Sequence, residues 1–226
     1  MKGHGQFCAI ARGQDLLGGR WTLLVVREVL CGSRRFSDIR RGIPRISRTV
    51  LSERLEALVH GGVLARHDGD HGPEYAPTAA GRDLLPVLAA LGTWGQRWLP
   101  RRADEEDLDA DPVLVDMQRR VRPEALPRQP QVVRFVVDGG PPRFLLLAAG
   151  EGQLCSRNPG FPEPLAVTTP LAPLVAWWRG DVDFPGAQRR GLAVAGPRAL
   201  ARAFPGWFAR YAFAEVAPAA VDGAAP

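Results

Sequence analysis

The chain has 226 residues, enough for one large domain or two ordinary ones, because domains commonly span about 100–150 residues. Hydrophobic residues make up 46% and charged residues 23%, a composition that excludes an intrinsically disordered protein. The net charge of +5 is uneven: residues 1–103 have a balance of +7, whereas residues 104–226 have a balance of −2. The positive charge therefore lies in the first half, where a polyanion such as nucleic acid would bind.

Hydropathy and cysteine content indicate the cellular compartment and the redox state of the thiols. No apolar run approaches the roughly 18–20 residues that cross a bilayer, and the start lacks the residue order of a secretion signal, so we expect a cytoplasmic protein. Cys8, Cys31 and Cys155 are odd in number and have no CxxC spacing, which argues against a disulfide scaffold or a cysteine-rich zinc site. Each is first interpreted as a reduced, packed thiol.

The first half has mainly helical periodicity. Helices are predicted over residues 8–17 and 21–30, separated by two glycines, and a short helix over 36–41 has Ser37 as its candidate N-cap. After a turn at residues 42–44, the next helix is predicted to begin at Ser47 and to continue through residue 60. Its inward stripe comprises Leu51, Leu55, Leu58 and Val59.

A hairpin and a long helix follow. The predicted strands cover residues 63–67 and 74–77 on either side of a polar tip, and residues 78–99 form a helix that Pro86 kinks. Two helices, a short helix, a turn, a helix and a hairpin are the element order of a winged helix-turn-helix, a fold that reads duplex DNA.

The helix that begins at Ser47 has the character of a major-groove reader. Arg48, Thr49 and Ser52 fall away from its apolar stripe and are predicted to contact base edges. Residues 34–54 contain seven arginines and two acids, and arginine forks suit phosphates and guanine edges. The predicted DNA-binding residues are Arg34, Arg35, Ser37, Arg45, Ser47, Arg48, Thr49, Ser52, Arg54, Arg66 and His71. The alternative is that these arginines merely solvate a helical face.

The sequence gives little support for metal binding or catalysis. The cluster from His67 to His71 superficially resembles a metal site, but an exposed hairpin tip needs the same polar residues, and no metal is expected. The sequence has no Walker loop, GxSxG elbow or dinucleotide fingerprint. We therefore expect neither an enzyme nor a cofactor.

Residues 8–99 resemble the HxlR-type family of bacterial winged helix regulators. The resemblance is carried by Cys8, Leu16–Leu24, Arg27–Leu30, Gly32, Arg34–Ile39, Leu51–Leu55, Tyr75, Thr78, Gly81 and Trp94-Gly95. It implies a homodimer joined through the first and last helices, which binds inverted-repeat operators. It also implies redox sensing at Cys8, although Ala9 replaces the usual proline after that cysteine, and packing is the alternative role.

The second half mixes strand and helix signals. Strands are predicted over residues 132–137, 144–149, 165–169 and 192–194. Helices are predicted over 171–179 and 197–211, the second interrupted by Pro205-Gly206. We predict domains at residues 1–103 and 113–216, a linker at 104–112 and a disordered tail at 217–226. The predicted fold class is α+β.

This second half is similar to the sterol-carrier-protein-2-like domain, an α+β fold with an apolar cavity. The paired strands, the run from Trp177 to Asp181 and the Gly196-Pro197 step before the last helix carry the resemblance. It implies an apolar small molecule, for which Trp177, Trp178 and Arg179 are the candidate ligand-binding residues. The alternative is that the aromatic residues simply fill a core.

Two functions from different classes follow. The leading hypothesis is a homodimeric DNA-binding regulator, most simply a repressor, whose second domain binds an apolar effector. The competing hypothesis is a small-molecule-binding or biosynthetic protein that keeps the winged helix only as a scaffold.

Overall fold

A computed structural model describes residues 3–100, 109–148 and 150–219 of the chain. Contacts between Cα atoms divide the chain into two compact units, Met1–Gly92 and Thr93–Pro226, and each has its own hydrophobic core. Most of the predicted linker, and the predicted tail beyond Ala219, lie outside the described residues. The linker's last residues, 110–112, form the first turn of a helix, and the domain limits given above stay a prediction.

The first unit begins with four helices: α1 (Ala9–Leu17), α2 (Thr22–Leu30), α3 (Phe36–Gly42) and α4 (Arg48–His60). Leu51, Leu55 and Leu58 of α4 are fully buried, as the predicted stripe requires. They pack with aliphatic residues of α2 and of the α3–α4 turn. The predicted N-cap is also confirmed, because the Val50 N–H donates to the Ser47 hydroxyl over 3.2 Å.

The N-cap predicted for α3 is wrong. Ser37 does not cap this helix; the N-cap is Arg35, in an extended conformation and without a side-chain hydrogen bond. The reason is a long-range pairing: the Tyr75 N–H donates to the Arg34 carbonyl over 2.8 Å, and Arg35 forms an isolated bridge with Glu74. This pairing holds the backbone extended until Phe36, one residue before the predicted cap.

The hairpin consists of antiparallel β1 (Leu64–Gly69) and β2 (Gly72–Pro77), with Gly69 opposite Gly72. Both strands are longer than predicted, so the tip shrinks to residues 70–71. Gly72 has a φ of 105°, a left-handed value that glycine adopts without the steric penalty of a side chain. His67, Asp68 and Glu74 therefore belong to the strands, and Asp70 and His71 form the tip.

The predicted long helix is two helices, α5 (Ala79–Arg82) and α6 (Leu85–Trp98). Pro86 does not kink a continuous helix but lies in the first turn of α6, where its missing N–H leaves no hydrogen bond broken. The Thr78 side chain caps α5 by accepting from the Gly81 N–H over 3.1 Å. The described part of the first unit thus has the predicted winged helix-turn-helix order.

The second unit is an α+β structure built on a five-stranded sheet. The sheet order is β5-β4-β3-β6-β7, antiparallel except for the parallel pair β3 and β6, where Val133 lies opposite Leu165. The strands are β3 (Gln131–Val137), β4 (Arg143–Ala148), β5 (Glu151–Cys155), β6 (Leu165–Thr169) and β7 (Ala193–Ala195). The strand β5 and the parallel pairing were not predicted.

Helices and an aromatic core complete the second unit. The helices are α7 (Ala110–Arg119), α8 (Leu171–Arg179), α9 (Phe184–Arg189) and α10 (Arg198–Ala203), with 3₁₀ turns at Pro123–Ala125 and Phe204–Trp207. The predicted interruption at Pro205-Gly206 is confirmed: α10 ends at Ala203, and the chain continues as the 3₁₀ turn that contains both residues. Helices α7 and α9 were not predicted.

Candidate nucleic-acid interface

The solvent face of α4 has the predicted polar character. Arg48, Thr49 and Ser52 are exposed, whereas Leu51 and Leu55 are fully buried. The Ser47 cap fixes where the helix begins, so the first exposed side chains come from its first two turns. A helix end with one arginine and two short hydroxyl side chains fits the major groove, where such groups reach base edges.

A buried carboxylate supports the turn between α3 and α4. Glu28 of α2 is only 1% exposed and accepts from the Arg27 Nη2 over 2.6 Å and from its Nε over 3.0 Å. The same Arg27 Nη2 donates to the Gly42 carbonyl over 3.3 Å. A Cβ at Gly42 would lie 2.0 Å from the Glu28 Oε2, so this position needs glycine for space. The pair therefore holds the backbone that orients α4, and sequence reasoning missed it.

The wing is attached to the start of α3. The Arg35 Nε donates to the Glu74 Oε1 over 3.2 Å, beside the backbone bond between Arg34 and Tyr75. Both partners of the ion pair are well exposed, so its main effect is to orient the side chains rather than to stabilise the fold. Arg34 itself stays exposed at this junction.

The remaining predicted contacts lie on the same unit. Ser37 of α3, Arg45 of the turn and Ser47 are exposed, as are Arg66 of β1 and His71 at the hairpin tip. Exposure is necessary for contact with DNA, and these assignments stay predictions. The Ser37 hydroxyl donates to the Asp38 Oδ1 over 3.5 Å.

Arg54 differs from the other predicted phosphate contacts. It is half-buried, and its guanidinium lies beside Gly19 at the start of α2: a Cβ at Gly19 would be 3.3 Å from the Arg54 Cζ. Its Nε is buried without a hydrogen-bond partner among the described residues. The sequence pattern placed Arg54 with Arg48, but the fold turns it toward α2.

Cys8 occupies the N-cap position of α1 and is partly exposed. Hydrogen bonds from the backbone N–H groups of Ala11 and then Ile10 lower the pKa of its thiol. A lower pKa favours the reactive thiolate, so the geometry suits the predicted sensing role, which stays a prediction. Cys31 is exposed, and all three cysteines are free thiols.

The candidate ligand-binding residues of the second unit belong to its core. Trp177 is buried, with ring centroids 5.0 Å from Phe184 and 6.0 Å from Phe204. Trp178 is also buried, and its indole N–H donates to the Asp116 Oδ2 over 2.8 Å. Arg179 pairs with Asp181, 2.8 Å from Nε to Oδ2. Trp177 and Trp178 thus pack in the core while Arg179 is partly exposed in an ion pair, and their role in ligand binding stays a prediction.

The first unit has exposed apolar residues on α1 and α6, the first and last helices through which the family resemblance implies a dimer. Phe7 is fully exposed, Ile10 is 81% exposed, and Val87 and Leu91 are about half exposed. Beside them lies a cavity of about 460 Å³ lined by Ile10, Gly13, Gln14, Leu17, Gly18, Gly19, Trp21, Leu23, Leu24 and Val87. An apolar patch of this kind marks an interaction surface. Apolar residues on the outer side of α1 were a signal that the sequence offered.

Within residues 3–100, 109–148 and 150–219, no group of three or more His, Cys, Asp or Glu side chains is placed to hold a metal ion. None of the helices described is long and apolar enough to traverse a bilayer.

The fold and the exposed α4 define the first unit as a winged helix-turn-helix DNA-binding domain. The family model described as HxlR-like helix-turn-helix matches residues 16–103. YvaP of Bacillus subtilis, an uncharacterized HTH-type transcriptional regulator, is 40% identical over 88 residues, which are 38% of this chain and 82% of YvaP. The chain belongs to the HxlR-like helix-turn-helix family, whose named relatives are transcriptional regulators.

Other similar proteins share only part of their length with the chain. An uncharacterized HTH-type transcriptional regulator of Mycobacterium tuberculosis is 42% identical over 96 residues, which are 41% of this chain and 60% of that protein. The chain therefore spans about three fifths of the mycobacterial relative. Among solved structures, the reduced form of the regulator YodB from B. subtilis is 28% identical, with a TM-score of 0.36, over 40% of this chain and 93% of that chain.

Proposed function

We propose that the protein is a homodimeric repressor that binds inverted-repeat operators through two copies of α4. The observation that carries the proposal is the capped helix whose apolar stripe is buried while Arg48, Thr49 and Ser52 face solvent. In this proposal those three residues read base edges, and Arg34, Arg35 and Arg45 hold phosphates. Arg66 and His71 extend the contact along the wing. Because a bacterial DNA-binding regulator acts on the chromosome, the proposed location is the cytoplasm.

The apolar surface of α1 and α6 supports the dimer. Ile10 and Val87 line the cavity described above, and Leu85 and Leu91 of α6 are also about half exposed. Burying these apolar side chains in a dimer would release ordered water. A two-fold dimer presents two recognition helices to neighbouring turns of the major groove, which matches an inverted-repeat site. A dimer covering an operator represses most simply by excluding polymerase from the promoter.

The second unit supplies the proposed effector site. Its α+β architecture and clustered aromatic side chains support the sterol-carrier-protein-2-like assignment and an apolar ligand. Because Trp177 and Trp178 are packed, ligand entry requires them to move. The effector regulates only if it prefers one dimer geometry over another. Calorimetric ligand binding without any change in operator affinity would exclude this coupling.

The test begins with the genomic DNA fragments that the full chain retains, sequenced with and without candidate apolar metabolites. A salt titration on one retained duplex then measures the phosphate contacts, each of which adds roughly 0.9 to the slope. Arg48→Ala should weaken binding by about 1–3 kcal/mol and relax base preference. The matched control is Arg157→Ala, an exposed arginine of the second unit. If Arg48→Ala leaves both affinity and base preference unchanged, the proposed role of α4 is wrong.

A further inference from the structure

The start of α2 has two polar groups that lack partners. Thr22 is only 2% exposed, and its hydroxyl makes no hydrogen bond among the described residues. The Nε of Arg54 is also buried and without an acceptor there. Buried polar groups are almost always hydrogen-bonded, because leaving one without a partner destabilises the fold. Two such groups at the start of one helix indicate a ligand that accepts hydrogen bonds from them.

Gly19 brings these groups together. A Cβ on this residue would lie 3.0 Å from the Thr22 Oγ1 and 3.3 Å from the Arg54 Nη1. Both groups therefore border the position that a side chain at Gly19 would occupy. The hydroxyl and the guanidinium both donate hydrogen bonds, so the point where they converge suits an acceptor.

The electrostatics specify a negative acceptor. Helix α2 has nine residues, its first turn contains no acidic residue, and no side chain caps it. The positive end of its dipole is thus left beside the Arg54 guanidinium, and an anion would neutralise both. The N-cap residue Trp21 has a φ of 77° and is held by Arg20, whose Cζ lies 4.9 Å from its ring centroid.

We propose that Gly19, Thr22 and Arg54 form a binding site for a phosphate-type oxyanion at the start of α2. The Arg54 guanidinium supplies charge and a forked donor, the Thr22 hydroxyl supplies a second donor, and Gly19 has no side chain to crowd them. Two sources share this chemistry: a backbone phosphate of bound duplex DNA, and free phosphate. The first source rests on the proposed function, whereas the second is independent of it.

The experiment uses the full chain and inorganic phosphate as the probe. The cross-peak of the Arg54 Nε–H, assigned by its absence from Arg54→Lys, is followed as phosphate replaces chloride at constant ionic strength. We expect a saturable shift of this peak. Thr22→Val and Arg54→Met should each weaken phosphate binding at least about tenfold, because each removes a hydrogen bond to a charged group. The matched control Arg157→Met should bind phosphate like the parent protein.

Gly19→Ala is a second test that leaves both donors in place. Its added methyl group crowds the Thr22 hydroxyl and the Arg54 guanidinium and should also abolish the shift. This variant decides the matter if Thr22→Val does not fold. If phosphate causes no saturable shift, and if duplex binding leaves the Arg54 peak unmoved, the oxyanion site does not exist.

A retained duplex separates the two sources. If DNA supplies the phosphate, the duplex shifts the same peak, and Arg54→Met lowers the salt slope by about 0.9. If free phosphate is the ligand, the peak responds to phosphate and not to the duplex, and the slope is unchanged. Should no variant of the chain bind duplex at all, the proposed function fails while the phosphate titration still tests the site.

Discussion

The two units use arginine in different ways. In the second unit, arginines join elements to one another: Arg143 contacts Asp111 across β4 and α7 through two hydrogen bonds of 2.8 and 3.3 Å. Arg134 likewise reaches Glu163 over 2.7 Å. In the first unit, Arg34 and Arg48 are exposed on the face that α3 and α4 present to solvent. We propose that the exposed arginines of the first unit contact DNA, whereas these arginines of the second unit join its elements.

The hydrophobic cores of the two units also differ in composition. The buried hydrophobic side chains of the first unit are aliphatic, whereas the core of the second also contains Phe135, Trp177, Trp178, Phe204 and Trp207. Aliphatic packing suits short helices that must hold α4 at a fixed angle. Clustered aromatic rings fill a larger volume, and displacing one of them would open space for a ligand. The comparison predicts that core damage in one unit leaves the other unit's function intact.

The largest expected effect is on the second core. Phe204 is fully buried, and its ring centroid lies 5.5 Å from Phe208 and 5.8 Å from Trp207. Phe204→Ala should lower the unfolding free energy of the second unit by about 3–5 kcal/mol because it removes a large ring and leaves a cavity. Urea unfolding followed by near-ultraviolet circular dichroism measures the change. The exposed Phe161→Ala is the control and should change stability little.

If Phe204→Ala weakens duplex binding by as much free energy as it removes from the stability of the second unit, the two cores are not independent. Affinity is measured at a denaturant concentration where the first unit remains folded. Unchanged affinity would show that each core supports its own unit.

A smaller effect is expected at the buried carboxylate of the first unit. Glu28→Ala removes the acceptor for Arg27, and Gly42→Ala forces a Cβ into the Glu28 carboxylate. Each should weaken duplex binding by about 1–3 kcal/mol because the α3–α4 turn shifts. The control is Glu151→Ala, an exposed acid of the second unit.

Fluorescence anisotropy with a labelled duplex measures these affinities, and thermal unfolding of the same variants measures their stability. If Glu28→Ala binds duplex like the parent protein, the carboxylate does not position α4. An affinity loss that disappears at a temperature where the variant is fully folded would assign the effect to stability alone.

The cap of α4 offers a third and finer test. Ser47→Ala removes the hydrogen bond to the Val50 N–H and should cost about 1 kcal/mol of unfolding free energy in the first unit. Ser47→Asn should retain most of that stability because asparagine also caps helices. Ser37→Ala is the matched control, since Ser37 caps no helix. Equal losses from Ser47→Ala and Ser37→Ala in chemical denaturation would contradict the cap assignment.

Local signals in the sequence predicted much of the first unit. Ser47 and the stripe from Leu51 to Leu58 are separated by a few residues, so periodicity and capping chemistry identify them. Ser37 failed as a cap because a contact with Tyr75, distant in sequence, decides where α3 begins. Glu28 reads as an exposed charge until the fold places Gly42 against it.

The second unit was less predictable for the same reason. The pairing of β3 with β6 joins segments about thirty residues apart, and no local pattern distinguishes a parallel neighbour from an antiparallel one. Strand β5 contains Glu151, Gly152 and Gln153, which are poor strand formers, and its pairing with β4 overrides that preference. Trp177 and Trp178 stand out in the sequence, but only packing shows that they face the core.

The smallest expected effect concerns the reactivity of Cys8. Backbone N–H groups of Ala11 and Ile10 stabilise its thiolate, which lowers the pKa of the thiol below its ordinary value. Alkylation by iodoacetamide should therefore reach half its maximal rate at a lower pH in the folded chain than in the same chain in denaturant. The Cys31→Ser, Cys155→Ser double variant isolates the Cys8 signal. Coincident pH profiles in the folded and denatured states would show that the α1 amides do not activate this thiol, leaving packing as its role.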